Sequence, residues 1–363
     1  MAELTLDSTA GQDDLLHELA AVVRAALAGE VGKDWRRYGE LGWLSLLVPE
    51  HRGGAGADDR AAAVVARGMG RACRHDPYVA TVMAARCLAE LPASPGVDAR
   101  LRPLIDGSLR AVLAWQSESG DGYEPPSSSP VLLTGGAEPR LSGTAWWVPT
   151  ADADTYLVVA DRDGVPVLVA VEQVGDGVRV VPTGAADGTT WARLELRDAP
   201  AADVLASGDQ VAQALRTAVH TGALLCAAEL LGLVDRMLEL TVEYLSNRRQ
   251  FGRPIGSFQV LRHRAVDMWL QQRLTDAALD SALRRFGAPN ADLTTRALAA
   301  SSAKARASAT ALRVAGEAVQ LHGAIGFTEE HELGRYVNRV LVLAAWLGNA
   351  RVHARRYDRM VAS

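Results

Sequence analysis

Apolar residues recur at helical spacing from the start of the chain, at Leu15, Leu19, Val22, Val23 and Leu27. Ala61 to Ala72 is alanine-rich and suits a buried helix. Pro49-Glu50-His51-Arg52-Gly53-Gly54 between them reads as a turn. From about residue 111 the period shortens. Tyr156 to Val159, Val165 to Val169 and Val178 to Val181 favour strands, and turn clusters at Asp161 to Gly164 and Gly175 to Gly177 separate them. Tyr123 to Pro130, rich in proline and serine, reads as a surface loop. Helical spacing then returns in four stretches: Val211 to about Asn247, about Gln259 to Arg285, about Leu293 to His322, and roughly His331 to Met360. Long helices with short connections predict a bundle. The order of helices, strands and helices, without βαβ alternation, argues against a dinucleotide-binding α/β fold. The expected class is α+β. Residues 1–110 form a helical domain, 111–206 an antiparallel sheet or barrel, and 207–363 a four-helix bundle.

Composition narrows the function classes. The chain has 363 residues, 48% of them hydrophobic, enough for a full core. A net charge of -5 gives no footprint for nucleic acid or an anionic membrane. The acidic start Met1-Ala2-Glu3-Leu4 does not read as a signal peptide, and no apolar run reads as a bilayer span. Cys73, Cys87 and Cys226 are scattered, which suits small buried hydrophobes in a reducing cytoplasm. His263, His331 and His353 have no metal-ligand spacing. No Gly-x-Ser-x-Gly elbow or Gly-Lys-Ser/Thr phosphate loop is present.

Two segments carry candidate chemistry. Arg248 to Gly256 follows a long helix. Gly252 can take a positive φ, and Pro254 prevents the helix from continuing. Arg248 and Gln250 can project from this turn beside the ring of Phe251. A guanidinium for pyrophosphate, an amide for polar edges and a ring for adenine would suit a dinucleotide. The second segment, Gln320 to Phe327, puts Gly323, Ala324 and Gly326 at a helix end, where backbone can approach a ligand. A helix cap with solvated arginines and a plain helix stop explain the same residues, so physics alone leaves both readings open.

Together these segments resemble two signature segments of the flavin-dependent acyl-CoA dehydrogenase family. The resemblance extends over most of the chain. Pro49 to Gly54 looks like the family's early Pro-Glu-x-x-Gly-Gly turn. Trp115-Gln116-Ser117-Glu118 looks like the strand whose backbone and hydroxyl meet the flavin ring, and Trp147 falls where an aromatic flanks that ring. The resemblance implies that Arg248, Gln250, Phe251 and Gln320 hold the adenosine-diphosphate part of FAD across a subunit interface. Gly323 and Ala324 fall where the family has a glycine pair beside that site.

The departures matter as much. The family reaction needs a carboxylate to remove the α-proton of an acyl-CoA thioester while flavin N5 accepts the β-hydride. The usual base position is Leu347 here, followed by Gly348; the alternative position is Gly222, with the adjacent family arginine replaced by Ala223. His220 and Glu229 are nearby in sequence and read as a helix-end residue and a packed or solvated one. Glu329, Glu330 and Glu332 come too early to match the base and read as a solvated helix start. Ser119 to Pro126 departs from the family's Ser-Asp step, which puts binding of the flavin ring and thioester in doubt. Some actinobacterial members, notably those acting on steroid side chains, are heterotetramers in which one subunit type bears the base and the other completes the FAD site. The expectation is therefore a helper subunit in a dimer of dimers, with a homologous base-bearing partner and an acyl-CoA as the complex's substrate. A homomeric flavin oxidase or oxygenase of the same fold, or a flavin-free scaffold, are the alternatives. Leu224, Leu225, Leu230, Leu231, Leu233 and Val234, with the run from Val340 to Leu347, are expected to form an apolar bundle-to-bundle interface.

Overall fold

The computed structural model describes residues 8–28, 35–118, 129–327 and 331–362. Five helices come first: α1 Ser8–Leu27, α2 Arg36–Glu40, α3 Asp59–Arg71, α4 Tyr78–Glu90 and α5 Pro95–Ile105. The amphipathic reading of α1 holds only in part. Val23 and Leu27 are buried, while Leu15 and Val22 face outward. Pro49 to Gly54 is a turn around a short 3-10 helix, closed by Gly53 at φ +87°.

Eight strands follow: β1 Ala111–Ala114, β2 Val131–Thr134, β3 Arg140–Val148, β4 Thr155–Arg162, β5 Val165–Glu172, β6 Val178–Gly184, β7 Thr190–Pro200 and β8 Asp203–Ser207. They form one sheet in the order β6-β7-β3-β2-β4-β5-β8, with β1 added beside β4. Most pairings are antiparallel, as the alternating turns suggest. The β1–β4 and β2–β4 pairings are parallel, which corrects the all-antiparallel expectation. Parallel neighbours must arrive by long connections, and local turn signals carry no information about those.

The bundle is α6 Asp209–Asn247, α7 Gln259–Phe286, α8 Leu293–His322, and a final pair, α9 Leu333–Ala345 and α10 Ala350–Ala362. The first three match the periodicity closely. Asp292 caps α8 by accepting the Thr295 N–H at 2.7 Å. The expected single last helix is broken instead. Leu347 has φ +55° and Gly348 φ +89°, and neither value is helical. The break leaves backbone carbonyls in the core, and the buried Lys304 ammonium answers them. It donates to Leu343 O, Gly348 O and Ser308 Oγ, each at 3.0 Å. His353 Nε2 lies 2.8 Å from Leu347 O. A cation at a helix C-terminus complements the dipole, so the break is held by side chains from α8 and α10.

α6 sits at the centre. It contains an 18-residue window of mean hydropathy 1.6, long and apolar enough to cross a membrane, and the whole window is buried within the protein. That corrects the expectation that no such run exists. Glycines bring its backbone against α3. A Cβ at Gly70 would lie 1.9 Å from Glu229 O, and one at Gly232 would lie 2.0 Å from Arg67 O. Most of the leucines expected at an interface are absorbed here, while Leu341 is exposed. Leu224 through Val234 contribute to the chain's own core, as do Val340, Leu343 and Leu347. The largest group of exposed apolar side chains in the bundle lies on α7, at Val260, Val266, Trp269, Leu270 and Leu274. The sequence pattern counts apolar residues without showing how many neighbours a central helix has to satisfy.

Candidate functional site

The two signature segments emerge side by side at one end of the bundle. The Tyr244 ring, one turn before the end of α6, stacks on His322 at the end of α8 with centroids 4.5 Å apart. Arg248 is the C-cap of α6, at φ -70° and ψ 123°, with its N–H on Tyr244 O at 2.9 Å. Arg249–Gln250 (β9) then pairs antiparallel with Arg253–Pro254 (β10). Phe251 and Gly252, at φ +52° and +77°, make the tight turn of this hairpin. A phenylalanine in that region is strained, yet its ring is 89% exposed. It meets Phe258 edge-on at 6.0 Å, and Arg253 stacks on the other aromatic at 4.2 Å. Across from it, Gln320 is exposed on the last turn of α8, and Gly323, at φ +63°, opens the segment that also exposes Ala324. The hairpin thus presents an arginine, an amide and a bare aromatic face outward.

Of the other predicted residues, Gln116 and Trp147 lie apart from these and line a pocket of about 470 Å³ between the sheet and α9. Gln116 is buried at its edge, and its carbonyl accepts the Trp146 N–H at 2.8 Å. Ser117 is the next residue and is half-buried. Trp147 sits at φ +55° in an irregular stretch of β3, half exposed, and its Nε1 donates to Glu118 O at 3.4 Å. Trp146 carries the Arg193 guanidinium on its face at 4.8 Å, and Glu195 grips that guanidinium at 2.7 Å. The floor is Val342, Ala345, Trp346 and Leu347, set in place by the break between α9 and α10. Sequence reasoning missed Trp146, Trp191, Arg193 and Trp346. The available signal was that four of the chain's eight tryptophans fall here. A wider groove of about 1060 Å³ between α1, α3, α6 and α7 contains none of the signature residues and is lined by ion pairs such as Arg67–Asp235.

Leu347, which the resemblance sets at the usual base position, lines the pocket, and it cannot accept a proton. The alternative position is closed by packing. A Cβ at Gly222 would lie 2.3 Å from Met83 Sδ, so that face of α6 is filled by α4. Neither His220 nor Glu229 lines the pocket. Burial, and then the charge of Arg356, push the His220 imidazole down to about 3, leaving it a very weak base. Glu229 is buried and takes two hydrogen bonds from Arg339, at 3.0 and 2.7 Å. Glu332, at the start of α9, pairs with Arg236 at 2.9 Å and is partly exposed. Glu329, Glu330 and the segment from Ser119 to Pro126 lie outside the described residues.

Residues 15–92 match the model of the acyl-CoA dehydrogenase N-terminal domain, and residues 211–361 match that of the C-terminal domain. Acyl-CoA dehydrogenase IpdE2 of Mycobacterium tuberculosis is 31% identical over 349 residues, 95% of this chain and 92% of that protein. The chain belongs to the acyl-CoA dehydrogenase family. Acyl-CoA dehydrogenase FadE27 of the same organism is also 31% identical, over 90% of this chain and 87% of its own length. Among solved structures, the ChsE4-ChsE5 complex from Mycobacterium tuberculosis matches with a TM-score of 0.81 and 28% identity, over 100% of this chain and 99% of the matched one. The Tcur3481-Tcur3483 steroid acyl-CoA dehydrogenase matches with a TM-score of 0.83 and 26% identity, covering 96% and 98%. The fold family is FAD-dependent. The exposed donors and ring at the α6–α8 end fit an adenosine diphosphate in chemistry: one cation for pyrophosphate, amides for polar edges and a flat apolar face for adenine.

Proposed function

We propose that this chain is the helper subunit of a hetero-oligomeric acyl-CoA dehydrogenase. It supplies the adenosine-diphosphate half of an FAD site to a homologous partner that bears the catalytic base. The observation that carries this reading is the contrast between its two sites. The outward-facing hairpin keeps Arg248, Gln250 and Phe251 beside Gln320, Gly323 and Ala324, while the pocket presents Leu347 where the base belongs. The two-subunit composition of the ChsE4-ChsE5 and Tcur3481-Tcur3483 relatives supports a hetero-oligomer, a dimer of dimers in this reading. Bound FAD would supply the hydride-acceptor chemistry for the acyl-CoA. The residues of this chain bind and orient it: Arg248 neutralises pyrophosphate, Gln250 and Gln320 donate to polar edges, and Phe251 covers the adenine. The domain division at 110 and 206 belongs to the same reading.

The retained pocket beside Gln116, Ser117 and Trp147 favours a second reading, a homomeric flavin oxidase or oxygenase that needs no α-proton base. Purifying the chain alone and co-expressed with its genomic neighbour separates the two. A colourless chain that yields a yellow, active complex only with the partner supports the helper subunit. A yellow homomer without acyl-CoA oxidation supports the oxygenase. Turnover of any acyl-CoA by the chain alone overturns the helper reading outright.

A further inference from the structure

The wall and floor of the pocket come from distant parts of the chain and are joined behind it by one buried side chain. Arg339 stands on α9, one turn before Val342 of the floor. Its Nε and Nη2 donate to Glu229 Oε1, and its Nη1 donates to Asp187 Oδ2 at 2.8 Å. Asp187 lies in the turn between β6 and β7 with its side chain fully shielded from solvent. Its other oxygen accepts the Thr189 hydroxyl at 2.6 Å and the Thr189 N–H at 3.0 Å. Thr189 Oγ1 in turn accepts the indole N–H of Trp191 at 3.1 Å. Trp191 lines the pocket and stands edge-on to Trp346 of the floor, with centroids 5.7 Å apart and planes at 87°.

The hydrogen bonds of this series run in one consistent direction. The indole donates to the hydroxyl, the hydroxyl to the carboxylate, and the guanidinium to both carboxylates. The carboxylate must be ionised to serve the guanidinium and the hydroxyl at once. Its hydrogen bonds to Thr189 and Arg339 hold it below the ordinary range against the opposing effect of burial. Bracing α9 to α6 needs only the Glu229 arm. The Asp187 arm reaches across to the sheet and ends on the ring that faces the pocket.

We propose that Arg339 is a positioning residue for this pocket. Acting through Asp187 and Thr189, it fixes the orientation of Trp191 and, through the edge contact, the shape of the apolar wall shared with Trp346. This inference is independent of the FAD half-site and of any partner.

The test uses the full chain and three near-isosteric variants: Thr189→Val, Asp187→Asn and Glu229→Gln. Each is measured by tryptophan emission and acrylamide quenching, with the Trp191 signal assigned by difference from the same protein carrying Trp191→Phe. Unfolding midpoints are recorded alongside. Thr189→Val and Asp187→Asn are both expected to raise the quenching constant of Trp191 about twofold or more, the first because the indole N–H loses its acceptor and the second because the hydroxyl that holds the indole loses its own partner. Glu229→Gln is expected to lower the midpoint and leave the Trp191 signal as in the wild type. Arg339→Lys keeps the charge without the fork that spans two carboxylates, and it should give the Trp191 signal of Asp187→Asn. Should the charge variants fail to fold, Thr189→Val decides alone, since it leaves all three ionic groups in place. A wild-type Trp191 signal in Thr189→Val overturns the proposal, as does an equal change in Glu229→Gln, which would make the trio a structural brace.

Discussion

Replacing Phe251 by glycine separates the two meanings of the α6–α8 end. The residue sits at φ +52°, which costs a non-glycine residue about 1–2 kcal/mol. Glycine removes that strain. It also gives the unfolded chain more freedom to lose, roughly 0.5–1 kcal/mol, and forfeits the edge contact with Phe258, about 0.5–1 kcal/mol. With the ring 89% exposed, almost no hydrophobic burial is lost. These contributions nearly cancel, so stability should change by less than about 1 kcal/mol. The strain is thus unexplained by folding, and an exposed, strained aromatic points to a ligand. If adenine lies on that ring, its loss removes stacking worth about 1–3 kcal/mol. FAD affinity of the assembled complex should then fall roughly 5- to 150-fold, at about 1.4 kcal/mol per decade. The assays are thermal unfolding of the chain alone and FAD titration of the complex by flavin fluorescence. Unchanged FAD affinity would refute the half-site, and a stability loss above about 2 kcal/mol would refute the claim that the ring is structurally idle.

Arg248→Ala should remove a charge-assisted contact of about 1.5–3 kcal/mol and weaken FAD binding by the complex roughly ten- to a hundredfold. Full FAD retention after gel filtration would return Arg248 to a helix cap. Gly232→Ala favours an isolated helix by about 1 kcal/mol. Here it drives a methyl to 2.0 Å from Arg67 O, so overpacking should lower stability by about 1–3 kcal/mol in urea melts, and a stabilised variant would contradict the α3–α6 contact. His220 and His353 are held down to about 3, mainly by burial. The unfolded chain therefore binds their protons first. Their stability is full above pH ~6.5 and falls as pH drops toward ~3, by about 1.4 kcal/mol per pH unit for each histidine. His220→Gln should flatten that slope between about pH 6 and 4, and an unchanged slope would show that His220 titrates normally in the folded chain.

Local rules carried far in this chain because much of it is locally consistent. Three bundle helices end where the apolar repeat ends, Asp292 caps where a capping residue stands, and Phe251-Gly252 turns where glycine permits a positive φ. The two signature segments do lie at helix ends, but their reading as a cofactor site rests on the family resemblance and not on local rules. What the sequence could not contain was the set of partners that each residue meets. The single last helix expected from the repeat is broken at Leu347-Gly348, where Gly348 takes φ +89° and Asn349 caps the next helix, and Lys304, some forty residues earlier, donates to the freed carbonyls. The leucines of α6 read as surplus and are not, because a helix enclosed on all sides has apolar neighbours on every face. Glu229 read as a packed or solvated residue; it is packed, and it is one arm of an ion trio closed by Arg339, 110 residues later, and by Asp187. Periodicity and capping act over one or two turns, so a sequence determines them. Burial, charge pairing and pocket shape depend on residues that meet only once the sheet has packed on the bundle.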